Sequence, residues 1–195
     1  PYSIQKVVFE ESLRLKNSSI TEIKSPQILI AGCGTGEHSI VTAAKFENSE
    51  ILAIDLSLSS LGYAKRKTRE LRLENITYMQ ADILNLKKLN KKFDIIESIG
   101  VLHHMEDPMS GWKVLVDCLK PNGLMKIGLY SELARQSVVE IRKEIAESNI
   151  SSSTSEILHV REKLMKSDKE VIIKLKNKLR VASSAGEPLN PELKR

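Results

Sequence analysis

Apolar residues fall along this chain in two alternating rhythms, short near-continuous runs and longer stretches in which they recur every three or four positions. The short runs are Gln27 to Ala31, Glu50 to Ile54, Ile76 to Gln80, Phe93 to Ser98 and Leu124 to Leu129. A strand apolar throughout has both faces covered, as in a parallel sheet packed between helices. The longer stretches supply those helices. After Ser57, a fitting N-cap, Leu58, Leu61, Ala64, Thr68 and Leu71 trace one face as far as Arg72. Another helix is expected from Asp107 to Lys120, with Pro108 in its first turn, Trp112, Leu115, Val116 and Leu119 inward, and Pro121-Asn122-Gly123 as its stop. Because crossovers between parallel strands are right-handed, the pattern predicts an α/β fold, a doubly wound parallel sheet of strand order 3-2-1-4-5.

Outside the alternating region the rhythm changes. Residues 4–15 are expected to form a helix lying on the sheet. Beyond the fifth strand, Ala134, Val138, Ile141 and Ile145 keep helical spacing, a serine-rich break follows from Ser148 to Ser155, and Ile157 to Leu179 has helical period again. This second helix is expected from Glu156 to about Val181, with a strand at Val171-Ile172-Ile173 as the alternative. The expected division is therefore an N-terminal helix in 1–24, an α/β domain in 25–148, a helical segment in 149–182 and a loose tail in 183–195, which carries Gly186, Pro188 and Pro191. No internal repeat is found.

Composition narrows the setting. With 195 residues and 41% hydrophobic content, the chain can bury one sizeable core. No run of about 18 apolar residues offers a membrane span, and no secretory pattern opens the sequence, so a soluble cytoplasmic protein is expected. The chain starts at Pro1, which fits removal of an initiator methionine as well as a cut from a longer protein. Cys33 and Cys118 lie in unrelated settings without Cys/His spacing, so neither a disulfide nor a metal site is expected. The net charge of +5 resides mostly in residues 156–195, with ten basic and six acidic side chains. A lysine-rich helix of that kind is ordinarily a solvated face, and nucleic acid is not an expected partner.

Candidate chemistry concentrates after the first strand, where Ala31-Gly32-Cys33-Gly34-Thr35-Gly36-Glu37 leads into a helix through Ser39, Ile40, Val41, Ala43 and Ala44. Gly32 and Gly34 allow a tight turn and close approach of a ligand to the backbone. The third glycine comes one residue earlier than in the dinucleotide pattern, and Glu37 would repel a pyrophosphate. Asp55 stands nineteen residues past Gly36 at the end of the second strand, where a carboxylate can accept hydrogen bonds from ribose hydroxyls. Asp82 follows the third strand and can accept from an adenine amino group. Each acid alone is equally well a cap or loop residue; together with the glycine turn they form an adenosine-shaped set.

At this point the sequence resembles the class I S-adenosylmethionine-dependent methyltransferases over about residues 25–135. Ala31-Gly32-Cys33-Gly34-Thr35-Gly36 is similar to that family's first motif, Ala53-Ile54-Asp55-Leu56-Ser57 to its second and Gln80-Ala81-Asp82-Ile83 to its third. Phe93 to Ile96, with Val101-Leu102-His103-His104-Met105 and Asp107-Pro108, is similar to its fourth-strand motif, and Leu119-Lys120-Pro121-Asn122-Gly123 to its entry to strand five. The stretch from Ile127 to Arg135 also resembles methyltransferase domains fused to tetratricopeptide repeats in bacterial proteins, which implies a linked or associated repeat domain in a longer protein.

The resemblance implies a Rossmann-like fold, S-adenosylmethionine as cofactor, and cofactor-binding roles for Gly32, Cys33, Gly34, Gly36, Asp55, Leu56, Asp82, Ile83, Ser98 and Gly100. Two departures stand out: Ile30 occupies a place that is acidic in many members, and the usual closing antiparallel hairpin of strands six and seven is not found. Methyl transfer from a sulfonium needs in-line positioning above all, and a general base only for some acceptors. His103 and His104 are candidate proton acceptors, with loop histidines packed at the strand end as the favoured alternative for both. Tyr130, a further catalytic candidate, and Glu132 are candidates to line an acceptor pocket, or equally caps of the following helix. No Pro-Cys nucleophile is present, and Ser98-Ile99-Gly100-Val101 stands where amino-nitrogen methylases carry Asn/Asp-Pro-Pro-Tyr/Phe. A small-molecule or protein acceptor is therefore expected. The rival readings are a NAD(P)-binding oxidoreductase and a non-catalytic cofactor-binding scaffold.

Overall fold

The computed structural model describes residues 3–10, 13–15, 19–46, 48–131, 135–148, 153–169 and 172–173. Its elements are α1 (Ile4–Glu10), β1 (Gln27–Ala31), α2 (Glu37–Lys45), β2 (Glu50–Asp55), α3 (Leu58–Glu70), β3 (Ile76–Gln80), β4 (Phe93–Ile99), α4 (Pro108–Asp117), β5 (Leu119–Gly128), α5 (Gln136–Glu147) and α6 (Thr154–Lys166). Short 3-10 turns at Ser19–Glu22, Ile83–Leu89 and Leu102–His104 complete the list. The five strands form one sheet of order β3-β2-β1-β4-β5, all parallel. This is the Rossmann-like doubly wound arrangement expected from the apolar runs.

Alternation along each strand explains why those runs are continuous. Ile28, Ile30, Ile51, Ala53 and Ile95 point to one face, where Ile4, Ile20, Ala43 and Leu61 cover them. Leu29, Ala31, Ile54 and Ile96 point to the other, beneath Ile83, Leu86, Leu102 and Leu115. Each fully buried Leu or Ile contributes about 1.5–3 kcal/mol, so a polar residue on either face would be felt. Local signals start the helices: Ser57 Oγ accepts the Ser60 N–H at 3.2 Å ahead of α3, and Asp107 Oδ1 accepts the Met109 N–H at 2.9 Å ahead of α4.

Several boundaries differ from the sequence expectation. The α4 helix ends at Asp117, not Lys120, and Pro121-Asn122-Gly123 lies inside β5 rather than stopping a helix. Pairing decides this. Phe93 faces Leu119 and Ile95 faces Leu124, so the residues between bulge out of the ladder, with Asn122 at φ +63°. The N-terminal helix covers only Ile4–Glu10. The helix expected through Val181 ends at Lys166, where Ser167 turns extended and caps it; Ile172 and Ile173 are helical and not strand. The expected loose tail, 183–195, lies outside the described residues.

The chain divides into two compact units, Pro1–Leu129 and Tyr130–Arg195. The first holds the N-terminal helix together with the whole sheet. In the second, Ile141 and Ile172 are buried. No described helix is long and apolar enough to cross a membrane.

Candidate functional site

The strand order reverses at β1, where β2 lies on one side and β4 on the other, and this is where an open parallel sheet leaves a crevice at its carboxyl edge. The turn after β1 shapes one wall. Gly32, Gly34 and Gly36 have φ of +81°, +54° and +89°. The Gly32 and Cys33 N–H groups donate to the Ile54 carbonyl at 2.8 and 2.9 Å, which ties the turn to the end of β2. Asp55 completes the tie, its Oδ2 accepting the Gly34 N–H and its Oδ1 the Ser57 N–H, each at 2.8 Å.

The glycines serve two different purposes. A Cβ on Gly32 would lie 2.3 Å from Val101 Cγ2, and one on Gly36 would lie 2.6 Å from Ala64 Cβ, so both are required by packing. A Cβ on Gly34 or on Gly100, whose φ is +74°, would meet nothing within 4 Å. Both of these border a cavity of about 540 Å³, so the space in front of their backbone is open to a ligand.

The walls of that cavity include Gly32, Gly34, Asp55, Leu56, Asp82, Ile83, Gly100 and His104 from the sequence-derived set. Four others of the same unit do not line it. Cys33 is buried, its thiol directed toward the Gly34 carbonyl, and burial, followed by the nearby Asp55 charge, pushes its pKa up to about 11. Gly36 faces Ala64 of α3. Ser98 is fully buried and donates from Oγ to the Ala31 carbonyl at 3.1 Å, joining β4 to β1. His103 stacks obliquely on His104 with ring centroids 4.2 Å apart, and only His104 reaches the cavity wall. Tyr130 belongs to the second unit, where the Arg135 guanidinium lies 3.9 Å from its ring centroid. Glu132 lies outside the described residues.

Ala81, Leu84, Ile99, Val101, Met105 and Glu106 complete the walls. The sequence reading gave none of them a site role, although Ala81, Val101 and Met105 lie within the motifs and Glu106 directly follows one; their signal is adjacency to the motif residues at strand ends. Asp55, Asp82 and Glu106 line the cavity, and no lysine or arginine does so among the described residues. Such a lining suits a ligand carrying positive charge over one carrying phosphates. Asp82 uses Oδ1 to accept the Leu84 N–H at 2.9 Å, and an ionised carboxylate has further acceptor positions on both oxygens. The same holds for Asp55, so both acids fit an adenosine's donor groups while keeping their structural bonds.

Behind the cavity, on the other face of the sheet, Glu97 of β4 is buried and accepts from Thr42 Oγ1 at 2.8 Å and pairs with His38 Nε2 at 2.9 Å. Burial pushes the Glu97 pKa up, but the His38 hydrogen bond and charge, the Thr42 hydroxyl and the Lys126 charge outweigh it, and the net shift is down. The only sequence sign of this network is that the apolar run of the fourth strand carries a second acid besides Asp94. Among the described residues, no group of three or more His, Cys, Asp or Glu is placed to hold a metal ion.

Residues 28–123 match a protein family described as a methyltransferase domain. Among curated proteins, an uncharacterised protein of Synechococcus sp. is 34% identical over 126 residues, covering 64% of this chain and 30% of the relative. A ubiquinone biosynthesis O-methyltransferase of Rickettsia canadensis is 27% identical over 140 residues, covering 72% of this chain and 58% of that protein. The chain thus spans about a third to somewhat over half the length of these relatives. PKMT2 from Rickettsia typhi has the same fold, with a TM-score of 0.64 at 21% identity over 82% of this chain and 32% of that one; its complex with AdoHcy gives 0.60 at 22% identity, over the same shares.

Proposed function

With residues 28–123 belonging to the class I S-adenosylmethionine-dependent methyltransferases, we propose that this chain binds S-adenosylmethionine at the carboxyl edge of β1, β2, β3 and β4 and transfers its methyl group to a small-molecule or protein acceptor. One observation carries the reading. A single cavity gathers the open backbone of Gly34 and Gly100 with the carboxylates Asp55 and Asp82. Gly34 and Gly100 admit the ligand where a side chain would intrude, Asp55 suits ribose hydroxyls, and Asp82 suits the adenine amino group.

When bound, the cofactor supplies a methyl group on a sulfonium, and an acceptor lone pair forms the new bond to carbon as the carbon–sulfur bond breaks, leaving a neutral thioether. The protein's work is to hold donor and acceptor in line, about 3–3.5 Å apart, away from water. Ile99, Val101 and Met105 supply apolar wall for that purpose. His104 is the candidate base that the cavity includes, placed to take a proton from an acceptor that must lose one.

The carboxylate lining favours a neutral or positively charged acceptor over nucleic acid or another polyanion. It also disfavours a dinucleotide, whose pyrophosphate would meet Asp55, Asp82 and Glu106. A cytoplasmic setting belongs to the same reading, supported by the free, buried Cys33 and Cys118. Calorimetric titration with S-adenosylmethionine and, separately, with NAD tests the proposal. Binding of the first alone is expected; tight binding of NAD alone would refute it. Methyl-labelled cofactor in a cell lysate then identifies the acceptor.

A further inference from the structure

A buried carboxylate in the middle of a parallel sheet is expensive unless its hydrogen bonds are made, and β4 carries one where every residue from Phe93 to Ser98 is buried. In the ladder, Glu97 lies beside Ile30 of β1 and Lys126 of β5. Its side chain reaches the helix above. Both of its side-chain partners, His38 and Thr42, belong to α2. His38 is the second residue of that helix, directly beyond the glycine turn that forms one wall of the cavity. Glu97 itself precedes Ile99, Gly100 and Val101, which form the facing wall. The same two walls also meet at Gly32, which has no Cβ to hold Val101 away.

We propose that Glu97 is a positioning residue, clamping the first two turns of α2 to the end of β4 through His38 and Thr42 and so setting the width of the cofactor cleft between Gly34 and Gly100. The clamp spans two elements whose loops are the cleft, while touching neither the cofactor nor the acceptor. Packing alone would hold α2 at the right height over the sheet but would leave it able to slide along its axis. Two directed hydrogen bonds, one to each of two successive turns, remove that freedom. This rests on the cofactor site proposed above.

The test measures S-adenosylhomocysteine affinity by calorimetry and melting temperature for the unmutated chain and for His38→Ala, His38→Gln, Glu97→Gln and Thr68→Val. Thr68 of α3 is a buried hydroxyl control, bonded to the Ala64 carbonyl and to Tyr78 and not itself part of the cavity walls. His38→Ala and Glu97→Gln are each expected to weaken binding about tenfold, and His38→Gln, which keeps an N–H donor, to recover most of the loss. Thr68→Val is expected to lower the melting temperature with affinity intact. The half-exposed His38 keeps the test open if Glu97→Gln does not fold. Unchanged affinity in His38→Ala would overturn the clamp alone, as would an equal loss of affinity in Thr68→Val. Absence of binding by the unmutated chain would instead overturn the cofactor site, and the clamp with it.

Discussion

At the amino ends of the strands, Asp94 is buried and closed in, accepting the Gln27 N–H at 2.8 Å and the Lys120 ammonium at 3.0 Å. At the carboxyl ends, Asp55 also holds two backbone N–H groups but remains half-buried and borders a cavity. The two carboxylates sit at opposite ends of one sheet, on β2 and β4, and differ in what surrounds them. At the amino end a strand start and a lysine from β5 meet the charge, and Asp94 borders a hollow of only about 50 Å³. At the carboxyl end, glycines with positive φ draw the backbone away after β1 and after β4, so polar groups stay in reach of a ligand. One sheet thus has an end closed by its own hydrogen bonds and an end that opens on a cavity of about 540 Å³.

Substitutions at the two ends should separate affinity from stability. The largest effect is expected from Asp55→Ala, which removes the proposed ribose acceptor and the tie between two loops; S-adenosylmethionine affinity should fall by about 1–3 kcal/mol in calorimetry. An unchanged affinity would remove Asp55 from the site. Next comes Gly34→Ala. Its φ of +54° makes a side chain cost about 1–2 kcal/mol of stability in denaturant unfolding, and the added methyl would stand in the cleft and weaken cofactor binding as well. At the other end, Asp94→Asn should lower stability by about 1 kcal/mol and leave cofactor affinity as it was. A loss of affinity there would erase the contrast between the ends.

The smallest effect concerns acid. Glu97 has a folded pKa below its ordinary 4.5. Its contribution to stability is therefore complete above pH 4.5 and is lost as pH falls through the depressed value. The difference in melting temperature between the unmutated chain and Glu97→Gln should be constant near neutrality and shrink below pH 4.5. A difference that persisted unchanged into strong acid would show that the charge on Glu97 does not stabilise the fold.

Much of the binding end was legible in the chain, because its signals are local. Continuous apolar runs announced strands with two covered faces, and β1 and β3 have the ends those runs predict. Positive φ at Gly32, Gly34 and Gly36 follows from residues that tolerate it. Where local signals misled, a distant partner had the last word. Pro121-Asn122-Gly123 are turn formers, yet pairing of Leu119 with Phe93 draws them into a bulged strand. In the second unit, Ile157, Val160 and Leu164 keep helical spacing, yet α6 has no fully buried residue. With Val160 and Leu164 only half-buried, little packing enforces its length, and the helix stops where Ser167 turns extended.

By itself, then, the sequence determined the strand order, the glycine turn and the placement of Asp55 and Asp82 at strand ends, since period, turn chemistry and crossover handedness are properties of neighbouring residues. Only the tertiary structure decided that Gly32 and Gly36 serve packing while Gly34 and Gly100 face open space, that Ser98 ties strands together, and that Glu97 meets a helix 55 and 59 residues away in sequence. Those facts depend on which residues lie side by side across the sheet, and side-by-side placement follows from register and packing, which no local run of residues contains.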